Sequence, residues 1–451
     1  MGQVQRPWRR LGAMRGSEAD ASSGPVDQAS FGLACAEAVG TREEGRAPGL
    51  IVLRVDRGGD VEPRALTGDD ELAAVVHQRL AGVLPGDCLL GRLGDYEYGV
   101  LLPGSPDLEW ATELCRRLVS MVGKPVFLTS QRLVQLSASC GLATVSVLPD
   151  EATADDLFRA AHLAMVEARR AGRNRVEVCT GELIAMADER LAIGQDLRRA
   201  LDEQGLAVSY QPLVDLRDEA VIGFEALVRW SHPVHGQVPP DEFVAVAEEF
   251  GMITELGHLV LSTATAQVQQ WSAALEIPLM VHVNMSGGDV AAEDFVETVA
   301  ESLRLSGLPA RQLVLELTES AVAPDMESVR EKLEALHRLG VRVAMDDFGV
   351  SRALVPHLQT LPVDILKVDR ALIDDPDAPN ADGLLHGVIA LGQALGMDVY
   401  GEGIEDEPQR ERLVLHGCTV GQGYLFAPPM TPGDAAAFLR NLTQAEAVVG
   451  G

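Results

Sequence analysis

The chain has 451 residues, of which 67 are Asp or Glu and 37 are Lys or Arg, giving a formal net charge of −30. At about 150 residues per domain the length predicts two or three domains, and a composition of 47% hydrophobic and 23% charged residues excludes a disordered, collagenous or disulfide-miniprotein chain. The acidic excess argues against a general binder of DNA or of anionic membrane surfaces, both of which need a basic footprint; a small anionic ligand stays open if cations stand between it and the acids.

Residues 1–27 read as a flexible tail, with Arg6, Arg9, Arg10 and Arg15 ahead of the first acid, Glu18. From 28 to 178 helices and strands mix in one domain. Leu50–Asp56 reads as a buried strand, Asp70–Ala81 as a helix, and Leu89–Leu93 with Tyr98–Pro103 as a hairpin turning at Gly94–Glu97. Leu108–Val122 is helical, Leu133–Val147 strand-rich, and Asp156–Ala171 an amphipathic helix stopped by Gly172. Residues 179–204 form a connecting helix, centred on Leu183–Gln204. The stretch Leu256–Leu275 is uncharged but carries His258 and several Ser, Thr and Gln, so it reads as a soluble helix and no membrane span is expected. The cysteines at 35, 88, 115, 140, 179 and 418 show no CxxC or zinc spacing. They read as small buried hydrophobes of a reducing compartment, and the expected location is cytoplasmic.

From 205 onward eight apolar runs alternate with helical stretches: 206–214, 220–229, 279–285, 312–318, 341–346, 363–369, 397–403 and 419–425. This predicts an α/β chain that ends in a (β/α)8, TIM-barrel-like domain, in which chemistry gathers at the C-terminal ends of the strands.

Most of those runs end in a residue able to bind a cation or move a proton: Glu225, Asn284, Glu316, Asp346-Asp347, Lys367, Glu402 and Gln422. If the ends converge, each pair of carboxylates about 4 Å apart costs roughly 4 kcal/mol at an effective dielectric of about 20. Protons or cations must then neutralise the cluster. An all-oxygen donor set suits Mg²⁺ or Mn²⁺, and two such ions can clamp a phosphodiester. His232 and His235 fall in a loop and are not read as a metal site.

On these residues, 191–446 resembles the EAL domains, bacterial phosphodiesterases that open cyclic di-GMP to linear pGpG. The motifs are Glu225-Ala226-Leu227-Val228-Arg229-Trp230, Val283-Asn284-Met285-Ser286, Glu316-Leu317-Thr318-Glu319, Asp346-Asp347-Phe348-Gly349, Leu366-Lys367-Val368-Asp369-Arg370, Gly401-Glu402-Gly403-Ile404-Glu405 and Gln422-Gly423-Tyr424. The resemblance implies that Glu225, Asn284, Glu316 and Asp346 bind one of two Mg²⁺ or Mn²⁺ ions, with Asp346 and Asp347 reaching the second. It makes Glu402 the general base, has Lys367 position the attacking water, and has Glu319 steady the loop after Asp347. Gln211, Arg229, Gln422 and Asp369 become the substrate contacts. A homodimer is also implied. One departure stands out: the family's DDFGTGYSSL reads Asp346-Asp347-Phe348-Gly349-Val350-Ser351-Arg352-Ala353-Leu354 here. That loop also fits a receptor which holds cyclic di-GMP without hydrolysing it, or a regulatory interaction protein.

Residues 28–178 resemble a GGDEF (diguanylate cyclase) domain in degenerate form. Arg92-Leu93-Gly94-Asp95-Tyr96-Glu97-Tyr98 stands where RxGGDEF is expected. Asp95 replaces a glycine that lets backbone approach phosphate, and Tyr96 replaces a metal-binding Asp. Leu84 stands near where the inhibitory RxxD site, ending at Asp87, would place its Arg. The implied role is regulatory, without cyclase activity, through packing, dimerisation, or binding of GTP or a protein partner.

Overall fold

The computed structural model describes residues 25–40, 47–57, 69–102, 104, 106–127, 133–203, 205–322, 325–348, 358–374 and 381–449; the side chains of 57, 69, 70, 347, 381 and 443–449 fall outside that description. Contacts divide the chain into two compact units, Met1–Leu191 and Ala192–Gly451.

The first unit runs α1 (Gln28–Gly40), β1 (Gly49–Arg57), α2 (Asp69–Ala81), β2 (Leu89–Gly94), β3 (Glu97–Leu102), α3 (Leu108–Val122), the short pair β4 (Val126–Phe127) and β5 (Leu133–Val134), β6 (Leu136–Thr144), α4 (Ala154–Arg170) and β7 (Val176–Val178). Its main sheet has the order β2-β3-β1-β6-β7, with only β6 and β7 parallel. Alternation along β1 explains why its run Leu50–Leu53 is apolar on both faces. Ile51, Leu53 and Val55 pack with α2 and α3 on one face, while Leu50 and Val52 pack with α1 and α4 on the other. Helix α4 starts where Thr153 and Asp156 form a reciprocal capping box. Residues 1–24 of the predicted tail lie outside the described residues. Val26 pairs with β2, donating to the Leu90 carbonyl at 3.1 Å, so the domain begins before residue 28. Helix α1 escaped the sequence reading because its small, mixed residues carry little periodicity.

The unit boundary falls within α5 (Gly181–Asp202). There follow β8 (Leu206–Asp215), β9 (Val221–His232), β10 (Gly236–Val238), α6 (Pro240–Glu249), α7 (Ile253–Leu275), β11 (Met280–Met285), α8 (Gly287–Ala291), α9 (Phe295–Ser306), β12 (Leu313–Thr318), α10 (Glu319–Val322), α11 (Met326–Leu339), β13 (Arg342–Phe348), β14 (Ile365–Val368), α12 (Ala381–Ala394), β15 (Asp398–Gly401), α13 (Glu407–His416), β16 (Val420–Gly421) and α14 (Pro432–Val449). The order β9-β11-β12-β13-β14-β15-β16-β8, with β8 returning to β9, closes an eight-stranded barrel. One feature differs from eight uniform strand–helix repeats. β8 and β9 form an antiparallel pair with no helix between them, and β8 is also antiparallel to β16.

The barrel interior is layered. Val314, Ala344, Ile365, Tyr400 and Val420 form one apolar layer with Leu213. Each of the first five precedes Glu316, Asp346, Lys367, Glu402 or Gln422 by two residues, so the period of two that buries the apolar layer also turns the polar set inward one level higher.

Candidate active site

The polar level is built around Lys367, whose side chain is 1% exposed. Its Nζ lies 2.8 Å from Glu316 Oε1, 3.3 Å from Asp346 Oδ1 and 3.9 Å from Glu225 Oε2, and it also pairs with Glu402. Burial by itself would lower the ammonium's pKa. The carboxylates of Asp346, Glu225, Glu316 and Glu402 outweigh that and hold it well above the usual lysine value. Burial, aided by repulsion from Glu225, Asp346 and Glu402, raises Glu316 well above the carboxylate range against the pull of Lys367. Burial likewise pushes Glu402 up to about 8, with Asp346 and Glu225 adding to the rise and Lys367 opposing it.

An amide chain flanks the acids. Gln422 Nε2 donates to Glu225 Oε2 at 2.7 Å and to Gln211 Oε1 at 2.8 Å, and Asn284 Nδ2 donates to Glu225 Oε1 at 2.7 Å. Local backbone bonding carries the ladder past the ends of β15 and β16: Glu402 N donates to the Val368 carbonyl, Gln422 N to Gly401, and Ile404 N to Gln422. Close approach of the two segments requires Gly423, where a Cβ would lie 2.0 Å from the Ile404 carbonyl oxygen. Above this floor opens a cavity of about 310 Å³, bordered by Gln211, Glu225, Asp346, Glu402, Gln422, Arg370 and Tyr424 among others.

Eight of the twelve candidate site residues therefore meet: Gln211, Glu225, Asn284, Glu316, Asp346, Lys367, Glu402 and Gln422. The side chain of Asp347 lies outside the described residues, as does the altered stretch Gly349–Leu354. Arg229, Asp369 and Glu319 do not border the cavity. The Arg229 guanidinium donates to the neighbouring Val228 carbonyl at 2.9 Å. Asp369 accepts from Ala371 N at 2.8 Å, capping a short turn of 3₁₀ helix, and Glu319 opens α10. His232 is not in a loop: it ends β9, buried, with Nε2 2.9 Å from Asp196 Oδ2. The sequence reading missed His282, which is fully buried with Nδ1 2.7 Å from Glu316 Oε1, and also Arg370 and Tyr424 at the cavity edge. The signal for His282 was its place two residues before Asn284, on the same inward face of β11.

Among the described residues no three His, Cys, Asp or Glu side chains already form a cation cage, and the Lys367 ammonium stands among the acids. The donor chemistry nevertheless fits a hard divalent cation. The donors are carboxylate and amide oxygens, and Glu316 Oε2 and Gln422 Oε1 are buried without a hydrogen-bond partner.

In the first unit, the acids Asp56 and Glu97 have partners within the domain. Arg169 Nε donates to Asp56 Oδ1 at 3.0 Å and Ser139 Oγ to Asp56 Oδ2 at 2.6 Å. Glu97 lies 3.4 Å from His162 Nδ1 and 3.7 Å from Arg54 Nη1. The hydrogen bond from His162 is the main reason its pKa is lowered. Tyr96, at the position where the cyclase motif has its metal Asp, has φ of +63° and packs against the domain's own core.

The family model described as EAL domain matches residues 194–429. The chain belongs to the EAL-domain family. A second model, described as diguanylate cyclase, GGDEF domain, matches residues 66–175, so this EAL protein also carries a GGDEF domain. Among its relatives is a protein of Pseudomonas aeruginosa named cyclic di-GMP phosphodiesterase NbdA, 34% identical over 82% of this chain and 47% of NbdA. Another, from the same organism, is named bifunctional diguanylate cyclase/cyclic di-GMP phosphodiesterase MucR, 33% identical over 80% of this chain and 52% of MucR. The chain thus spans about half the length of these relatives. A solved structure titled PaMucR phosphodiesterase, c-di-GMP complex, superposes with a TM-score of 0.52 at 34% identity, covering 54% of this chain and 99% of that one. Among the described residues no helix is long and apolar enough to cross a membrane.

Proposed function

We propose that the barrel hydrolyses cyclic di-GMP to linear pGpG with two Mg²⁺ or Mn²⁺ ions, and that the GGDEF domain makes no cyclic di-GMP and serves regulation. The observation that carries the reading is the convergence of Glu225, Glu316, Asp346 and Glu402 on buried Lys367 at the rim of an EAL-family barrel. The relatives named as cyclic di-GMP phosphodiesterases support the substrate.

Glu225, Asn284, Glu316 and Asp346 would hold one cation, and Asp346 with Asp347 would reach the second. Bound there, the ions would polarise the phosphodiester and offset the charge that develops on it. Glu402, 19% exposed beside Lys367, accepts the proton of the attacking water. A phosphorus–oxygen bond forms to that water as one ring phosphorus–oxygen bond breaks, and the released ribose oxygen takes up a proton. Lys367 keeps Glu402 and Glu316 from repelling each other and orients the water. Gln422 and Asn284 fix the Glu225 carboxylate, and Gln211, which accepts from Gln422, would present its amide to the substrate beside them. Arg229 and Asp369, placed beside rather than in the cavity, would reach a ligand only by leaving their present partners.

The silence of the GGDEF domain is supported by Tyr96, which is turned onto its own core, and by the arginine partner of Asp56. Six free thiols, five of them buried, support a reducing cytoplasmic setting. A homodimer, and GTP or a protein partner on the GGDEF domain, belong to the same reading and are tested by sedimentation and by GTP titration. The second reading, a receptor that does not hydrolyse its ligand, is favoured by the Val350–Leu354 departure in the sequence.

The deciding experiment incubates the full chain with cyclic di-GMP and Mg²⁺ or Mn²⁺ and resolves the products by chromatography. Linear pGpG from the wild type and none from Glu225→Ala is expected. Ligand binding with no product would replace the enzyme by the receptor.

A further inference from the structure

We infer that His282 is a positioning residue for the cation site: its Nδ1–H fixes the Glu316 carboxylate so that the carboxylate's second oxygen is presented to a divalent cation. The inference rests on the reading of Glu316 as a cation ligand. Five inner strands repeat one arrangement, an apolar residue two places before a polar one, at Val314, Ala344, Ile365, Tyr400 and Val420. β11 breaks it, because the residue two places before Asn284 is a histidine. An imidazole in an apolar layer is costly unless a partner compensates. His282 is fully buried, its ring lies against Tyr400 with centroids 5.7 Å apart, and its Nδ1 is 2.7 Å from Glu316 Oε1.

The division of labour on Glu316 follows from the hydrogen bonds. Oε1 also lies 2.8 Å from Lys367 Nζ in an ion pair; with Glu316 ionised, as a cation ligand must be, it can only accept from His282, so the ring carries its proton on Nδ1. With Oε1 held from two directions, rotation of the carboxylate is blocked. Oε2, buried and without a hydrogen-bond partner, is the oxygen left for a cation. His282 Nε2 is buried and unpartnered too, so the ring's single hydrogen bond among the described residues is the one to Glu316. Groups that hydrogen-bond a metal-binding carboxylate typically change affinity about 10–100-fold when removed.

The test measures Mn²⁺ affinity of the full chain by calorimetry and by the spin-resonance signal of free Mn²⁺, with no substrate present. His282→Leu should bind roughly 10-fold or more weakly, while His282→Asn, whose amide can donate from nearly the same place, should stay close to the wild type. Equal affinity in folded His282→Leu overturns the positioning role. A wild type that binds Mn²⁺ no better than Glu225→Ala overturns the cation site itself, and the inference with it. If the leucine variant does not fold, nitrogen-15 spectra of the wild-type histidines decide. An Nδ1–H tautomer whose signal moves on adding Mg²⁺ supports the inference, and an Nε2–H tautomer overturns it.

Discussion

Lys367 Nζ stands 2.8 Å from Glu316 Oε1, and the two side chains are 1% and 0% exposed. A buried pair of this kind is weak evidence for stability by itself, because desolvation offsets most of the attraction. Its significance lies in asymmetry. One ammonium serves Glu225, Glu316, Asp346 and Glu402, so losing it strands several acids, whereas losing any one acid leaves the others compensated.

Lys367→Met is therefore expected to abolish hydrolysis and to destabilise the barrel by about 3–5 kcal/mol, the usual cost of removing one partner from a buried ion pair. Saturating Mn²⁺ should recover part of that loss, since a ligand that binds only the native state stabilises it. Thermal unfolding with and without Mn²⁺ measures both effects. An unchanged Tm in the metal-free variant would show that the acids are neutralised by protons instead.

Glu402→Gln keeps the shape of the side chain and removes its capacity to take a proton. Turnover should fall about 10²–10⁴-fold, the range for loss of a positioned general base, with cyclic di-GMP affinity changed little. Single-turnover rates beside equilibrium binding separate the two. A parallel loss of binding would make Glu402 a substrate contact instead.

Gly141 has the closest backbone approach of the described glycines in the GGDEF domain. A Cβ there would lie 2.1 Å from the Ala161 carbonyl oxygen and 2.2 Å from Met165 N, where β6 meets α4. Gly141→Ala should destabilise that unit by at least about 1–3 kcal/mol, the cost of overpacking a close-packed interior. Urea unfolding followed by a probe in each unit should show the GGDEF unit's transition moved to lower urea and the barrel's transition in place.

Asp196 gives a pH signature remote from the acid cluster. His232 Nδ1 accepts from the backbone N–H groups of Val234 and His235, so its proton sits on Nε2 and is donated to Asp196. That hydrogen bond is the main reason the Asp196 pKa lies below its ordinary 3.8. A carboxyl lowered by folding contributes stability that is present above the unfolded pKa and is lost as pH falls through the folded one. The Tm difference between wild type and Asp196→Asn should therefore shrink as pH falls below 3.8. A difference that persists unchanged at lower pH would mean that the contact acts by shape alone.

Much of the barrel was legible in advance because strands are apolar on one face and polar residues cluster at their ends. The runs 312–318 and 279–285 match β12 and β11 almost residue for residue, and Glu316 and Asp346, near the ends of β12 and β13, converge with Glu225, which lies in the middle of the long strand β9 rather than at its end. The reversed direction of β8 was not legible, since a strand buries the same residues whichever way it runs. Nor was the choice of partner for a long polar side chain. Arg229 bends to its neighbour's carbonyl and Asp369 caps a turn, because each has a backbone group within reach that costs no closure of a long loop. The sequence by itself determined which residues could form the polar level and which apolar residues would lie beneath them, because both follow from a period of two along single strands. Tertiary structure alone decided that Gln422 would hold Gln211, 211 positions away, and that one lysine would answer four acids from four separate segments of the barrel. Those contacts exist only once the barrel has closed and water has been excluded, for it is the low-dielectric interior that turns neighbouring charges into obligatory partners.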